Sequence, residues 1–251
     1  FLSHTTAVER AEEMLSAGAD SVEIGGESTR PGATPVDVHE EIGRVVPVIR
    51  ELRARHPLLR IAIDTVKAET AAAALRAGAT TVNDVSALRL DARMAAVCAA
   101  AGCTVVLMHS RGDIADMARY SHADYGGRDV MDVVLDELAP AIDRALEAGV
   151  NRASIIVDPG IGFAKMSEHS VQALAQLPRL VELGFPVMVG ASRKRFIGEI
   201  TGVRKAADRD AGSVGASVVA LTLGATWFRV HDVRSHRHAL DVAATVLEVR
   251  A

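Results

Sequence analysis

The sequence predicts an α/β fold, a (β/α)8 or TIM barrel, and three observations carry the prediction. Short apolar runs rich in β-branched residues alternate with longer Ala/Leu/Glu/Arg segments along all 251 residues. Most of these runs are continuously hydrophobic, the pattern of parallel strands buried on both faces. Polar side chains gather at the C-terminal ends of the runs, the end at which barrels assemble their sites. An open doubly wound sheet is the competing architecture, but no Gly-x-Gly-x-x-Gly follows a strand.

Taken in order, the pattern predicts a helix over 5–17 and then a strand over 21–25 (SVEIG). A helix over 38–55 leads to a strand over 60–65 (RIAIDT), and a helix over 67–77 to a strand over 81–85 (TVNDV). The next pairs are a helix over 91–101 with a strand over 104–109, and a helix over 129–148 with a strand over 154–159. Helices over 167–183, 208–223 and 235–249 frame the last two strands, over 186–192 and 226–233. Gly18, Gly78, Gly102 and Gly149 each follow a helix, and Gly184 and Gly224 repeat the signal. Glycine there supplies the left-handed cap without a Cβ clash. The count is seven strands against eight helices, beginning with a helix. A βα series begins with a strand, so the first strand and first βα loop are expected upstream of Phe1. No Pro/Ser-rich linker or charge block divides residues 1–251, which are read as one domain.

Composition narrows the function. Hydrophobic residues make up 49%, enough for a sizeable core. Twenty-eight basic and 32 acidic residues leave a net charge of -4, which with 3% aromatics argues against a nucleic-acid surface. No apolar run approaches the roughly 18 residues of a membrane span, and no signal pattern opens the chain. Cys98 and Cys103, the two cysteines, provide neither a disulfide scaffold nor a four-ligand zinc site. The expectation is a cytoplasmic enzyme acting on small molecules, without nucleic-acid or membrane partners.

Asp64 and Asp158 end the apolar runs IAID and IIVD, where a carboxylate is costly unless paired or hydrogen-bonded. A neighbouring Lys or Arg satisfies that need. So does a flat heterocycle with an amidine-like edge, such as a pterin or guanine. Asn83, donor and acceptor at once, suits an adjacent edge of the same ring. Arg30, Arg229 and His231 become neighbours if the barrel closes and suit a phosphate group. Surface ion pairing explains Arg30 equally well, whereas Arg229 lies inside WFRVH, where an unpaired guanidinium is expensive. Lys194, in Ser192-Arg193-Lys194-Arg195, is expected to point toward Asp64 and Asp158. Phe163 and Lys165 lie on the Gly-rich run DPGIGFAK, expected to be an exposed lid. Any single Asp or Asn after a strand is more often a helix cap. Seven strand ends supplying such groups argue for one pocket.

These segments, in this order, resemble the dihydropteroate synthases: IGGESTRPGA (24–33), IDT (63–65), VNDV (82–85), LMH (107–109), DPGIGFAK (158–165), SRKRF (192–196) and RVHDV (229–233). The resemblance implies a homodimeric TIM barrel in folate biosynthesis. It would condense 6-hydroxymethyl-7,8-dihydropterin pyrophosphate with p-aminobenzoate and release pyrophosphate. By the same resemblance Asp64, Asn83, Asp158 and Lys194 bind pterin, with Val85 and Met108 lining the pocket. Arg229 packs over the pterin and faces the pyrophosphate with Arg30 and His231. Thr29, Pro31, Phe163 and Ser192 match positions that contact p-aminobenzoate and sulfonamides. Mg2+ is implied through the pyrophosphate and the loop expected upstream, with no metal ligand in the sequence at hand. Glu23 departs from the pattern, since the family has Asp there. A pterin-dependent methyltransferase barrel, a metal-dependent barrel hydrolase using His109, His231 and Asp158, and a non-catalytic pterin-binding paralogue are the competing readings.

Overall fold

The computed structural model describes residues 3–28 and 34–250. It opens on α1 (His4–Ser16), whose N-cap Ser3 accepts the Thr6 N–H. Strands β1 (Ser21–Gly25), β2 (Arg60–Asp64), β3 (Thr81–Asp84), β4 (Thr104–Met108) and β5 (Ile155–Asp158) form a parallel sheet in sequential order. β6 (Met188–Val189) pairs in parallel with β7 (Trp227–Phe228), and a Val157–Val187 bridge joins this pair to β5. The intervening helices are α2 (Val38–Arg55), α3 (Ala68–Ala77), α4 (Met94–Ala101), α5 (Val130–Glu147), α6 (Ser167–Ala175), α7 (Leu177–Val181), α8 (Arg195–Thr201), α9 (Asp210–Thr222) and α10 (Val233–Arg250). No described helix is long and apolar enough to cross a membrane.

Strand pleating sorts the core. Ile61, Ile63, Val82, Val105, Leu107, Ile155 and Val157 face the helices and pack with Val45, Ile49 and Leu52 of α2 and Leu138 of α5. Each fully buried side chain of this kind contributes about 1.5–3 kcal/mol. The alternate residues point to the other face, because successive strand side chains point opposite ways. There Asp64, Asn83, Val106 and Ile156 lie in one register row, and Met108 and Asp158 in the next. Val106, Ile156 and Met188 form a separate small apolar cluster with Trp227 against it. Apolar residues thus pack one part of the inner face, and the polar groups lie beside them in the same rows. The series curves back on itself, since Arg229, just past β7, bonds Glu23 of β1 and Asp64 of β2.

Three sequence expectations need correction. The helix over 167–183 is two helices, because Pro178 follows a break at Gln176 and has no N–H to continue the ladder. The strands over 186–192 and 226–233 shorten to two residues each, with further bonds from Thr226 N and Trp227 N to Val187 O and from Arg229 N to Val189 O. No helix is expected over 195–201, yet the basic run SRKRF leads directly into α8, whose Phe196 and Ile197 are buried. The glycine stops hold. At Gly78, φ is +117° and a Cβ would meet Arg53 Cγ at 2.8 Å, while Arg53 Nη2 donates to the Gly78 carbonyl at 2.7 Å.

Candidate active site

Three carboxylates, Glu23, Asp64 and Asp158, and one amide, Asn83, lie on the inner face of the strands toward their C-terminal ends. Asn83 is buried, and its Nδ2 donates to Glu23 Oε2 at 2.8 Å. Its Oδ1 is buried with no hydrogen-bond partner. Leaving such an acceptor empty costs about 1–3 kcal/mol, so it is available to a ligand N–H. Arg229 donates from Nε to Glu23 Oε1 at 2.6 Å and from Nη2 to Asp64 Oδ2 at 2.8 Å. Burial, then the Glu23 charge, push the Asp64 carboxyl up to about 7, against the pull of Arg229. Glu23 in turn raises the Arg229 guanidinium further above its ordinary value. Asp158 is buried and accepts the Gly160 N–H at 2.7 Å. Burial raises its pKa, while that N–H and the charges of Lys194, Lys165 and Arg229 oppose the rise.

The basic run after β6 divides its labour. Arg193, held at φ +59°, turns outward and forks onto Asp210 at 2.7 and 2.8 Å. Arg195 stacks over Tyr120, 4.6 Å from the ring centroid. Lys194 alone of the three turns inward, where its Nζ donates to the Ile161 carbonyl and lies 4.2 Å from the Phe163 ring centroid. Burial pulls the Lys194 ammonium down to about 7, against Asp158. Ser192 is buried, and its Oγ accepts the His231 N–H at 3.2 Å and meets His231 Nδ1 at 2.9 Å. One wall is apolar and built from Val66, Val85, Met108, Met117 and Phe163.

A polar, mostly buried cluster with an orphan acceptor, two inward cations and an apolar wall fits a flat heterocycle. Comparison with known proteins points the same way. The pterin binding enzyme family matches residues 1–231. A dihydropteroate synthase of Mycobacterium leprae is 42% identical over 252 residues, covering 98% of this chain and 87% of its own length. The chain belongs to the dihydropteroate synthase family. A Xanthomonas albilineans dihydropteroate synthase solved with 4-aminobenzoic acid is 43% identical with a TM-score of 0.89, covering 99% of this chain and 85% of that one. The same organism's enzyme in complex with 7,8-dihydropteroate is 40% identical with a TM-score of 0.86, covering 98% of this chain and 86% of that one. The fold is therefore the α/β TIM barrel of the dihydropteroate synthases.

The family match spans the whole cluster, from Glu23 to His231. Asp64, Asn83, Asp158, Lys194 and Arg229 converge in one cluster, and Val85 and Met108 share the wall with Phe163. Phe163 and Lys165 are not an exposed lid; both are buried. The DPGIGFAK turn is pinned from several sides: Ala164 N donates to Met117 O at 2.8 Å, and Tyr125 Oη donates to Ala164 O at 3.1 Å. Lys165 reaches inward to His109. Met117 and Tyr125 escape a sequence reading, because the segment between β4 and α5 has no periodicity to place them. Thr29, Arg30 and Pro31 lie outside the described residues. Lys67 braces the neighbouring chain, its Nζ donating to Glu27 at 2.9 Å, to fully buried Glu41 at 2.8 Å and to the Val36 carbonyl at 2.7 Å. Among the described residues no group of three His, Cys, Asp or Glu side chains is placed to hold a metal ion.

Proposed function

We propose that this chain condenses 6-hydroxymethyl-7,8-dihydropterin pyrophosphate with p-aminobenzoate to give dihydropteroate and pyrophosphate. The observation that carries the reading is the unpartnered Asn83 Oδ1 lying in one register row with Asp64. A pterin offers N–H donors along one edge, which suits acceptors and carboxylates set side by side. Asp158, Asp64 and Asn83 take those donors, Lys194 donates to a ring acceptor, and Val85 and Met108 flank the ring. Arg229 lies over it and, with His231 and Arg30, faces the pyrophosphate. Phe163 and Ser192, with Thr29 and Pro31, meet p-aminobenzoate.

In the reaction the C–O bond to pyrophosphate breaks and both electrons leave with the oxygen. The arylamine lone pair then forms the C–N bond, and its proton is released. Arg229 and His231 stabilise negative charge on the leaving group, while the Asp64 and Asp158 carboxylates stabilise positive charge on the pterin. Mg2+ would enter with the pyrophosphate substrate and neutralise part of its charge. Val219 on α9 and Val242, Val246 and Val249 on α10 are exposed apolar side chains on two helices that pack together. They supply the face for a homodimer. The same reading expects one barrel domain in the cytoplasm, without nucleic-acid or membrane partners.

The test is incubation of the protein with both substrates and Mg2+, following dihydropteroate and pyrophosphate together. Stoichiometric release of the two is expected. Pterin binding without product would favour the non-catalytic reading.

A further inference from the structure

Glu137, His109 and Lys165 form a hydrogen-bonded chain that runs from the surface into the protein and ends at the turn after Asp158. Lys165 is fully buried, with its Nζ 2.7 Å from His109 Nδ1 and 3.4 Å from the Phe163 carbonyl. On the far side of the ring, His109 Nε2 lies 3.0 Å from Glu137 Oε2, and Glu137 is partly exposed. A carboxylate only accepts and an ammonium only donates, so the imidazole between them is the neutral Nε2–H tautomer.

Gly160 closes the gap to Asp158. Its N–H donates to Asp158 Oδ1, while a Cβ on it would sit 3.6 Å from Lys165 Nζ and 1.9 Å from the His109 carbonyl. Glycine at φ +68° therefore lets the turn lie directly against Lys165 and His109, placing ammonium and carboxylate on two sides of one residue.

We propose that Lys165 is a positioning residue for pterin recognition, its ammonium keeping Asp158 ionised and its own proton being held through His109 by Glu137. The proposal rests on the assignment of Asp158 to the pterin. Electrostatics fit. Burial pulls the Lys165 ammonium down to about 7, Asp158 and Glu137 raise it, and Lys194 and Arg111 lower it further. Burial and the Lys165 charge hold His109 down at about 4, so it stays neutral as the relay requires. Burial would raise Glu137, but its bonds to His109 and Arg111 hold it at about 2, an anion at every relevant pH. The other charges facing Asp158 are Lys194 and Arg229.

The sign follows. Lys165 carries its charge on the acid side of about 7, and there that charge opposes protonation of Asp158. Lys165→Met should therefore weaken binding of 6-hydroxymethylpterin at pH 6, by at most about tenfold for each pH unit by which the carboxyl rises. At pH 8.5, where Lys165 is largely neutral in the wild type, the two proteins should converge. Glu137→Gln alters a partly exposed side chain and loosens the relay, so it should give the same pattern with a smaller deficit. If Lys165→Met fails to fold, Glu137→Gln carries the test alone. Equal affinity at pH 6, or a deficit of the same size at both pH values, would overturn the proposal. Wild-type protein that binds no pterin at either pH would instead remove the underlying reading.

Discussion

Replacing Glu23 with Gln isolates what its charge does to the site. Glu23 and Asp64 share the Arg229 guanidinium, so two negative charges meet one positive charge. Glutamine keeps an oxygen for Asn83 or Arg229 and removes one negative charge. Two unit charges about 4 Å apart interact by about 4 kcal/mol at an effective dielectric near 20. Arg229 screens much of that, so a floor of about 1.4 kcal/mol, one pH unit, is a conservative expectation. With Asp64 at about 7, roughly one molecule in eleven carries the ionised carboxylate at pH 6. Lowering it by one unit raises that fraction to about one half, so pterin binding should tighten about fivefold at pH 6. Above pH 8 wild type and Glu23→Gln should coincide. Calorimetric titration of 6-hydroxymethylpterin across pH 5.5–8.5 reads both limits. An acid limb with the same midpoint in the two proteins would refute the claim that Glu23 holds Asp64 high.

Asn83→Ala should weaken pterin binding by about 5- to 150-fold, the loss of one buried hydrogen bond worth about 1–3 kcal/mol, with little change in KM for p-aminobenzoate; steady-state kinetics varying each substrate separates the two. Asp64→Asn should abolish pterin binding yet stabilise the fold above pH 7. The folded pKa lies above the unfolded value of 3.8, so the stability it contributes is full below 3.8 and lost as pH rises through about 7. The gain is bounded at about 4 kcal/mol, should vanish near pH 4, and is read from denaturant unfolding at the two pH values. Lys67→Met leaves Glu41 buried without its cation and should cost about 3–5 kcal/mol. Thermal unfolding should fall by at least about 6 °C, and an unchanged Tm would show that Glu41 finds another partner or a proton.

Much of the fold is legible because parallel strands buried on both faces must be hydrophobic without interruption. RIAID, TVVLM and IIVD could scarcely be anything else, and the glycines after the helices mark where each unit turns. What escapes is set by tertiary contacts. Met188–Val189 and Trp227–Phe228 are short because the chain leaves the ladder after the Arg229 N–H has bonded the Val189 carbonyl, and no propensity announces where pairing stops. Arg195–Thr201 hides as a helix behind a basic run whose three cations go to Asp210, to the Ile161 carbonyl and to the Tyr120 ring.

The candidate site is legible in the sequence for the same reason that it is costly. Asp64, Asn83 and Asp158 interrupt sequence that otherwise wants to be apolar, and a carboxylate there has no structural use that an apolar side chain would not serve better. Lys165 carries no such mark. It reads as one more polar residue on a glycine-rich loop, and its burial depends on His109, fifty-six positions earlier in the chain, accepting its proton-bearing nitrogen. A buried ammonium needs its partner to be seen, and the partner here belongs to a different strand. Site residues that break a local pattern can be found from sequence; those that obey it until the chain folds are found only when the barrel brings β4 and β5 together.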